Sequence, residues 1–166
     1  MRYLGRLAQW LERPVYIREV VGSSPIPSIV KYKNPKVGVA VIIKKSGKIL
    51  LIKRVGSHGS GAWAPPGGHI DFGESIINCA KRETREEVGI KIKNLKVIGF
   101  TEDFFKKEKK HYITIWVDSK WKSGKPKVGN DEMTEIGWFA LKNLPKPLFL
   151  CFENFIRGGL SKIGRR

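Results

Sequence analysis

Acidic residues are scarce in this 166-residue chain, where 15 Asp and Glu stand against 32 Lys and Arg, a formal net charge of +17. This excess of positive charge favours a polyanionic partner such as a nucleotide, a nucleic acid or a phosphorylated small molecule. A basic surface that is merely solvated has the same composition, so charge alone does not separate the two. Hydrophobic residues make up 41% and charged residues 28%, which is typical of a globular protein rather than a disordered one.

Cysteine is also scarce, with Cys79 and Cys151 as the two residues and no CxxC pair. This count argues against a disulfide framework and a zinc knuckle, and it fits a reducing, cytoplasmic location. We expect both thiols to pack in the core. No apolar run approaches the roughly 18 residues that a membrane span needs, and the N-terminus lacks a signal-peptide pattern. The sequence therefore predicts no membrane partner.

The first 30 residues differ from the rest. Four apolar residues have the spacing of a short amphipathic helix, namely Leu4, Leu7, Ala8 and Leu11. However, LAQW and GSSP are also what the D-arm and T-arm of a tRNA gene encode when translated, at the separation found between those arms. We therefore interpret residues 1–30 as a non-native, tRNA-derived or disordered extension. Residues 31–160 are expected to form the domain, and residues 161–166 a basic tail.

The remaining chain has the pattern of strands with two helices, which predicts one layered α/β or α+β domain. Runs rich in β-branched residues predict strands at 36–44, 48–54, 90–100, 111–121 and 136–141. Helices are predicted at 74–88 and 148–156. Three segments are expected to be connections: the Gly/Pro-rich 55–69, the charged EDFFKKEKK run at 102–110, and 124–132.

The predicted helix 74–88 concentrates acid on one face. At about 100° per residue, Glu83, Glu86 and Glu87 share that face, next to an apolar stripe that would pack in the core. Like charges at helical spacing repel one another. A hard divalent cation, Mg²⁺ or Mn²⁺, takes oxygen ligands and would resolve that repulsion. The alternative is a solvated acidic face that is paired with Arg82 and Arg85.

The residues before and within this helix complete a known pattern. Gly68 is followed after five residues by Glu74, after seven more by Arg82-Glu83, and then by Glu86-Glu87, Gly89 and Ile90. This arrangement, G-x5-E-x7-R-E-U-x-E-E-x-G-U, resembles the Nudix box at every fixed position. Thr84 stands at the first U position, where an aliphatic residue is commoner. The wider resemblance runs from about Val37 to Phe155.

The resemblance implies an α/β/α sandwich with a mixed β-sheet and an enzyme that hydrolyses a nucleoside diphosphate linked to another group. It implies that Glu83, Glu86 and Glu87 bind metal, to which the Gly68 carbonyl adds a ligand. Glu74 would support the box by bracing its loop, and Arg82 would orient the carboxylates through charge-assisted hydrogen bonds.

Water attack on phosphorus requires a general base, which some family members place in a loop outside the box. Here that loop is GNDEMTEIGW. Glu132 is the first candidate, Glu135 the second and Glu83 the third. Each loop glutamate competes with the simpler interpretation of a solvated carboxylate.

Candidate substrate contacts lie in the loops. Trp63 and Phe104 are aromatic residues that would stack on a base, with Phe72 and Phe105 as further candidates, although core packing is favoured for Trp63. Gly67 in the tight turn is expected to bring backbone close to the substrate. His69 lies in the box loop, and His58 lies in the GSHGSG loop that would flank a substrate.

Three functions are compatible with these features. The chain looks most similar to MutT-like and NUDT15-like nucleoside triphosphate pyrophosphatases, which implies conversion of a triphosphate to a monophosphate and pyrophosphate, as in the removal of modified nucleotides. Pro65 departs from the commoner W-x-L-P-G-G pattern and leaves the base preference open. The second reading is a Nudix enzyme for ADP-ribose, another nucleotide conjugate or an RNA 5′ end. The third is a non-enzymatic nucleic-acid-binding domain, against which the acidic box argues.

Overall fold

Seven strands and two helices make up the domain in a computed structural model that describes residues 34–56, 59–129 and 131–158. The predictions about residues 1–30 and 161–166 concern residues outside these ranges. The elements, in chain order, are β1 (Lys36–Lys45), β2 (Lys48–Arg54), β3 (Trp63–Ala64), β4 (Gly67–His69), α1 (Ile76–Val88), β5 (Lys91–Phe105), β6 (Lys110–Ser123), β7 (Met133–Ala140) and α2 (Leu150–Ile156).

The strands form one mixed sheet with the order β3-β2-β1-β6-β5, in which β4 also pairs with β1 and β7 with β2. β1 and β6 run parallel over nine residue pairs, from Lys36↔Tyr112 to Lys44↔Lys120. The other strand pairs are antiparallel. A parallel pair needs a long crossover, and here that crossover includes α1.

The two edges of β1 are used differently. β6 occupies one edge along its length. On the other edge, β2 pairs at Lys44 and Lys45, whereas β4 pairs with the N-terminal half, Gly38–Ala40. This second pairing holds Gly67, Gly68 and His69 against the sheet, so the glycine-rich turn before α1 is fixed rather than loose.

Each face of the sheet has its own hydrophobic core, which confirms the α/β/α sandwich. On the α1 face, strand residues such as Val41, Ile43 and Leu50 pack against Cys79, Ala80 and Val88. On the α2 face, Ile42, Leu51 and Trp116 pack against Cys151 and Phe152. Both cysteines are free and buried, as expected.

A carboxylate is fully buried beneath α2. Asp103 accepts hydrogen bonds from Thr101 Oγ1 at 3.0 Å, Thr114 Oγ1 at 2.6 Å and Asn154 Nδ2 at 2.8 Å. Trp116 Nε1 in turn donates to Thr101 Oγ1 at 3.0 Å. These bonds tie α2 to β5 and β6, and they compensate for the loss of water around the charge.

Two of the predicted connections are wrong in part. Residues 55–69 were expected to lack regular structure but contain β3 and β4, since short strands need few residues when a neighbouring strand supplies the partners. The charged run 102–110 was expected to be a connection, yet β5 continues to Phe105 and β6 begins at Lys110. Lys106, Lys107 and Lys109 lie in the tight turn between the two strands, so the start of the charged run did not mark the end of β5.

Candidate active site

The helix that carries the acidic box has well-defined ends. Ser75 is the N-cap, and its hydroxyl accepts a hydrogen bond from Asn78 N at 3.2 Å. Gly89 ends the helix in a left-handed conformation with φ 69°, and its N–H donates to the Arg85 carbonyl. The predicted helix 74–88 is thus confirmed within two residues.

The three box carboxylates share one face of α1 but differ in their environment. Glu86 is exposed at 59% of its side chain and Glu83 at 14%, whereas Glu87 is 4% exposed as a residue. Glu87 Oε2 accepts a hydrogen bond from Gly67 N at 2.8 Å. Burial raises the pKa of Glu87 to about 8, against the lowering effect of the Gly67 bond. Burial also raises the pKa of Glu83.

Arg82 links the box together. Its Nε and Nη2 donate to the two carboxylate oxygens of Glu74 at 2.9 and 2.8 Å, a bidentate pair. Its Nη1 donates to Glu83 at 2.8 Å and to Glu86 at 3.4 Å, and Nη2 also reaches the His69 carbonyl at 3.0 Å. The bond from Arg82 lowers the pKa of Glu74, and the same bond raises the pKa of Arg82. Arg82 and Glu74 therefore have the geometry of supporting residues.

Glycine is required where the box loop meets α1. A Cβ at Gly68 would collide with the Glu83 carboxylate, and one at Gly67 would collide with the Val39 carbonyl. A Cβ at Gly129 would collide with the Glu86 and Glu87 carbonyls. Backbone thus approaches the box from two segments, and the carboxylate of Glu83 lies directly against Gly68.

The donor set fits a hard divalent cation. Carboxylates of Glu83, Glu86 and Glu87 and the backbone at Gly68 offer oxygen ligands, which such ions prefer. Glu87 is a buried carboxylate for which burial disfavours the negative charge, and a bound cation would reverse that effect. Among the described residues, no three acidic, histidine or cysteine side chains already converge on one point, and Arg82 lies between Glu83 and Glu86.

A pocket of about 300 Å³ adjoins the box. Gly67, Gly68 and His69 form one wall. The α2 side contributes Phe149, Cys151 and Phe152, and further lining residues are Arg54, Phe105, Tyr112, Thr114 and Glu132. Three aromatic rings of the pocket lining contact one another: the ring centroid of Phe105 lies 5.6 Å from that of Tyr112 and 5.4 Å from that of Phe149. The volume and the mostly apolar lining with a few charged groups are typical of a small-molecule site.

The two loop candidates for a general base are separated by the structure. Glu132 is exposed and lines the pocket, and its charge contributes to the raised pKa of Glu87. Glu135 instead forms an ion pair with Lys53 at 2.7 Å and does not line the pocket. The third candidate, Glu83, is held by Arg82. The base itself stays a prediction, with Glu132 in the best position.

The predicted substrate contacts are only partly brought together. Gly67 and His69 line the pocket. Trp63 is 7% exposed and packs edge-on against Phe139 at 5.0 Å, as favoured. Phe104 lies outside the pocket lining, 55% exposed and stacked on His111 at 4.2 Å, because alternate strand residues point to opposite faces. Phe105 takes the position in the pocket. His58 lies outside the described residues.

Several pocket residues were not anticipated, among them Arg54, Tyr112 and Phe149. The Arg54 guanidinium lies 4.7 Å from the centre of the Phe149 ring, and Tyr112 lies 6.0 Å from His69 between ring centroids. Arg54 follows an apolar stretch, Tyr112 precedes one and Phe149 lies within one, and none of the three has a motif of its own. The position of Tyr112 as an aromatic residue near the start of β6 was the one available signal for it.

The family model for the NUDIX domain matches residues 33–157, nearly all of the domain. The chain belongs to the Nudix family. An ADP-ribose pyrophosphatase of Methanocaldococcus jannaschii is 33% identical over 134 residues, which covers 81% of this chain and 79% of that protein. The similarity to the family thus extends beyond the Nudix box to most of the chain.

Two further relatives show the range within the family. A MutT NUDIX hydrolase from Burkholderia pseudomallei has a similar structure, with a TM-score of 0.67, 33% identity and coverage of 70% of this chain and 91% of that one. The NAD-capped RNA hydrolase NudC of Chromobacterium violaceum is 29% identical over 141 residues, but this chain spans only about half of it, 51%. The resemblance to MutT-like proteins is confirmed, and the narrower NUDT15-like type stays a prediction.

Family membership makes the chain a pyrophosphohydrolase, and Nudix hydrolases use divalent metal ions. The substrate-level alternatives from the sequence are all compatible with these relatives, which act on ADP-ribose or NAD-capped RNA by name. In the described part of the chain, no helix is long and apolar enough to cross a membrane.

Proposed function

We propose that this Nudix hydrolase cleaves the diphosphate bridge of a nucleoside diphosphate derivative in the cytoplasm, with Mg²⁺ as its metal ion and Mn²⁺ as a substitute. The observation that carries the proposal is the junction of the acidic box with the aromatic pocket, where Gly67 and Gly68 contact Glu87 and Glu83 and also line the pocket. A diphosphate at that junction would lie beside the carboxylates, while its nucleoside occupies the pocket.

Each part of the site has a proposed task. Phe105, Tyr112 and Phe149 provide aromatic surface for the base, and Arg54 provides positive charge for a phosphate. Glu83, Glu86 and Glu87 would hold the divalent ion, which when bound neutralises phosphate charge and acidifies water. Arg82 and Glu74 hold the box in shape.

In the proposed reaction, water adds to one phosphorus of the bridge and the bridging P–O bond breaks. Glu132 accepts the water proton, since it is the loop carboxylate that lines the pocket. The two products carry one phosphate each if the substrate is a diphosphate conjugate. With a nucleoside triphosphate, the same chemistry yields a monophosphate and pyrophosphate.

ADP-ribose is the first substrate to test, because the archaeal relative that is similar over four fifths of both chains is named for that activity. A nucleoside triphosphate is the second, favoured by the likeness to MutT proteins. An RNA 5′ end joined through a diphosphate is the third. Chromatography of products after incubation with Mg²⁺ ranks the three by kcat/KM. Absence of phosphoanhydride cleavage across the panel, with either metal ion, would refute the proposal.

The assignment of the general base has a matched pair of variants. Glu132→Gln is expected to lower kcat by about a hundredfold, a typical contribution of general base catalysis. Glu135→Gln serves as the control, since that carboxylate pairs with Lys53 outside the pocket. It is expected to keep turnover within about twofold of wild type, because it removes only a partly exposed ion pair. The reverse pattern would transfer the role to Glu135.

A further inference from the structure

Lysines accumulate at the end of the sheet opposite the box loop Gly67–His69 and next to the C-terminal end of α1. The segments 44–48, 91–96 and 118–127 contain ten lysines and one acidic residue, Asp118. Strand register brings them together, with Lys44 opposite Lys120 and Lys120 opposite Lys93. All ten lysines are exposed, and Asp118 is paired with Lys44 at 2.7 Å. We call these three segments the lysine end.

A groove of about 410 Å³ opens at the lysine end. It combines an apolar and aromatic floor with two ammonium groups, and its lining includes Lys45, Leu50, Lys125, Pro126, Ile136 and Trp138. Lys45 Nζ lies 3.8 Å from the ring centre of Trp121 and 5.7 Å from that of Trp138. Trp121 Nε1 donates to the Gly124 carbonyl at 3.0 Å, which holds the 124–126 segment against the sheet. We call this feature the Trp138 groove.

We propose that the Trp138 groove binds one nucleotide of a single-stranded oligonucleotide, with the base against Trp138 and the neighbouring phosphates on Lys45 and Lys125. Every base has a π face, so stacking on an indole ring tolerates any sequence. Lysines around the ring attract the phosphodiester backbone. An acidic peptide would satisfy the lysines but would leave the aromatic floor unused, so the oligonucleotide is the better match.

The groove is connected to the box by one segment. Lys127 N donates to the Val88 carbonyl at 3.2 Å, at the C-terminal end of α1. A Cβ at Gly124 would come within 3.1 Å of the Gly89 carbonyl, and one at Gly129 would collide with the Glu86 and Glu87 carbonyls. Residues 124–129 therefore follow the end of α1 from the groove towards the carboxylates.

The separation of the two sites sets the size of the ligand. The box loop pairs with β1 at Gly38–Ala40, and Lys45 lies five to seven residues further along that strand. At about 3.3 Å per residue this is roughly 20 Å. A dinucleotide conjugate in the active site would not fill the groove. The groove lies on the α1 face of the sheet and the aromatic pocket on the α2 face, so an oligonucleotide that engages both would pass along residues 124–129. The binding of the oligonucleotide is independent of the proposed function. Its cleavage as a substrate rests on the proposed function.

Binding is measured first without catalysis, by fluorescence anisotropy of a labelled single-stranded RNA of about eight nucleotides in EDTA. Lys45→Gln/Lys125→Gln is expected to weaken the affinity at least about fivefold, and to reduce the slope of log K against log salt by about 1.4, or 0.7 for each lost phosphate contact. The control Lys81→Gln/Lys107→Gln removes the same charge from α1 and from the β5–β6 turn, and should change affinity less than about twofold on the same basis. Equal losses for both double variants would overturn the proposal.

The contribution of the base is tested with competitors. Unlabelled RNA should compete better than inorganic polyphosphate or poly-glutamate of equal charge, and Trp138→Leu should remove that preference while the double lysine variant keeps it in part. DNA of the same sequence shows whether the sugar matters. Equal competition by polyphosphate would reduce the groove to a general anion site. Tighter binding of poly-glutamate would instead assign it to an acidic protein. Both results would refute an oligonucleotide site.

A third measurement separates this proposal from the proposed function. The double variant Lys45→Gln/Lys125→Gln should hydrolyse ADP-ribose at the wild-type rate but lose at least about fivefold in kcat/KM on a 5′-diphosphate-linked RNA, in line with its loss of binding. If the wild type cleaves no phosphoanhydride, the proposed function fails while the binding result stands. If ADP-ribose is cleaved but both RNA measurements are unchanged by the variant, the groove proposal fails alone.

Discussion

Within the described part of the chain, each face of the sheet buries one carboxylate, and the surroundings of the two carboxylates are opposite in kind. Asp103 beneath α2 is 0% exposed and accepts hydrogen bonds from three side chains. Glu87 on α1 is 4% exposed and, among the described residues, accepts from the single donor Gly67 N. Two further carboxylates, Glu83 and Glu132, add to the rise in its pKa.

From this difference we infer a structural role for Asp103, and it supports the proposed metal-binding role of Glu87. A buried charge with enough donors is stabilised by the fold itself. A buried charge with few donors and several like charges nearby is costly unless a cation joins it. Asp103 therefore completes the α2 face, whereas Glu87 leaves the α1 face with a requirement for positive charge. The predictions below test that contrast in order of expected effect.

Glu87→Gln should lower turnover at least about a hundredfold and leave the fold intact. The amide still accepts the bond from Gly67 N but loses the charge that a hard cation requires, and several kcal/mol of transition-state stabilisation go with it. Steady-state hydrolysis with Mg²⁺ and a melting curve in EDTA are measured together. A large fall in melting temperature would make Glu87 structural and erase its contrast with Asp103, and near-wild-type turnover would remove it from the metal site.

Asp103→Ala should have the opposite effect, a loss of stability with little change in turnover. Loss of the acceptor leaves donors on Thr101, Thr114 and Asn154 unpaired, which should lower the free energy of unfolding by about 3 kcal/mol and the melting temperature by roughly 10 °C. At assay temperatures well below the melting temperature of the variant, its activity should stay within about threefold of wild type, because Asp103 lies outside the proposed catalytic machinery. Asp118→Ala removes a half-exposed ion pair with Lys44 and should cost less than about 1 kcal/mol. Equal destabilisation by the two variants would contradict the network.

Arg82→Lys should reduce kcat about tenfold, as expected when a supporting residue of a metal site is lost. Lysine keeps the charge but cannot form the bidentate pair with Glu74 while it also bonds Glu83. Higher Mg²⁺ should restore part of the rate if the carboxylates are misplaced rather than missing. Arg85→Lys, on an exposed position of the same helix, is the control. An Arg82→Lys enzyme indistinguishable from that control would exclude the positioning role.

Removal of residues 1–30 should affect neither the box on the α1 face of the sheet nor the Asp103 network on the α2 face. The family match begins at residue 33, and the segment has the tRNA-like coding pattern described above. Turnover and melting temperature of the shortened chain should equal those of the full chain within error. The genomic DNA provides the second check, since absence of a tRNA gene at this position would contradict the interpretation.

The α1 face was predicted well because helical periodicity is local. The positions of Glu83, Glu86 and Glu87 on one face, with Ala80 and Val88 beside them, follow from 100° per residue alone and match the structure. The end at Gly89 was equally visible, since glycine takes the left-handed conformation without strain. The strands β1 and β2 were also predicted within one residue from their apolar content.

The pocket was predicted less well because its residues depend on strand register. Register shifts in β5 occur between residues 91 and 99, and each inserted residue exchanges the two faces of a strand. The sequence placed Phe104 and Phe105 in a connection, so neither was assigned to a face of the sheet, and in the structure the pocket takes Phe105. In the same way, Glu135 was lost to an ion pair with Lys53 that links β7 to β2 across the sheet.

The sequence by itself determined the family and the acidic face of α1, because these depend on spacing within one short segment. Tertiary structure alone decided that Glu87 would be buried against Gly67, that Asp103 would receive three donors, and that Lys45 and Trp138 would share a groove with Lys125. Apart from the bond between Thr101 and Asp103, each of these contacts joins residues that are more than ten positions apart in the chain. Their burial and charge arise only when the strands pair, and no local pattern encodes that pairing.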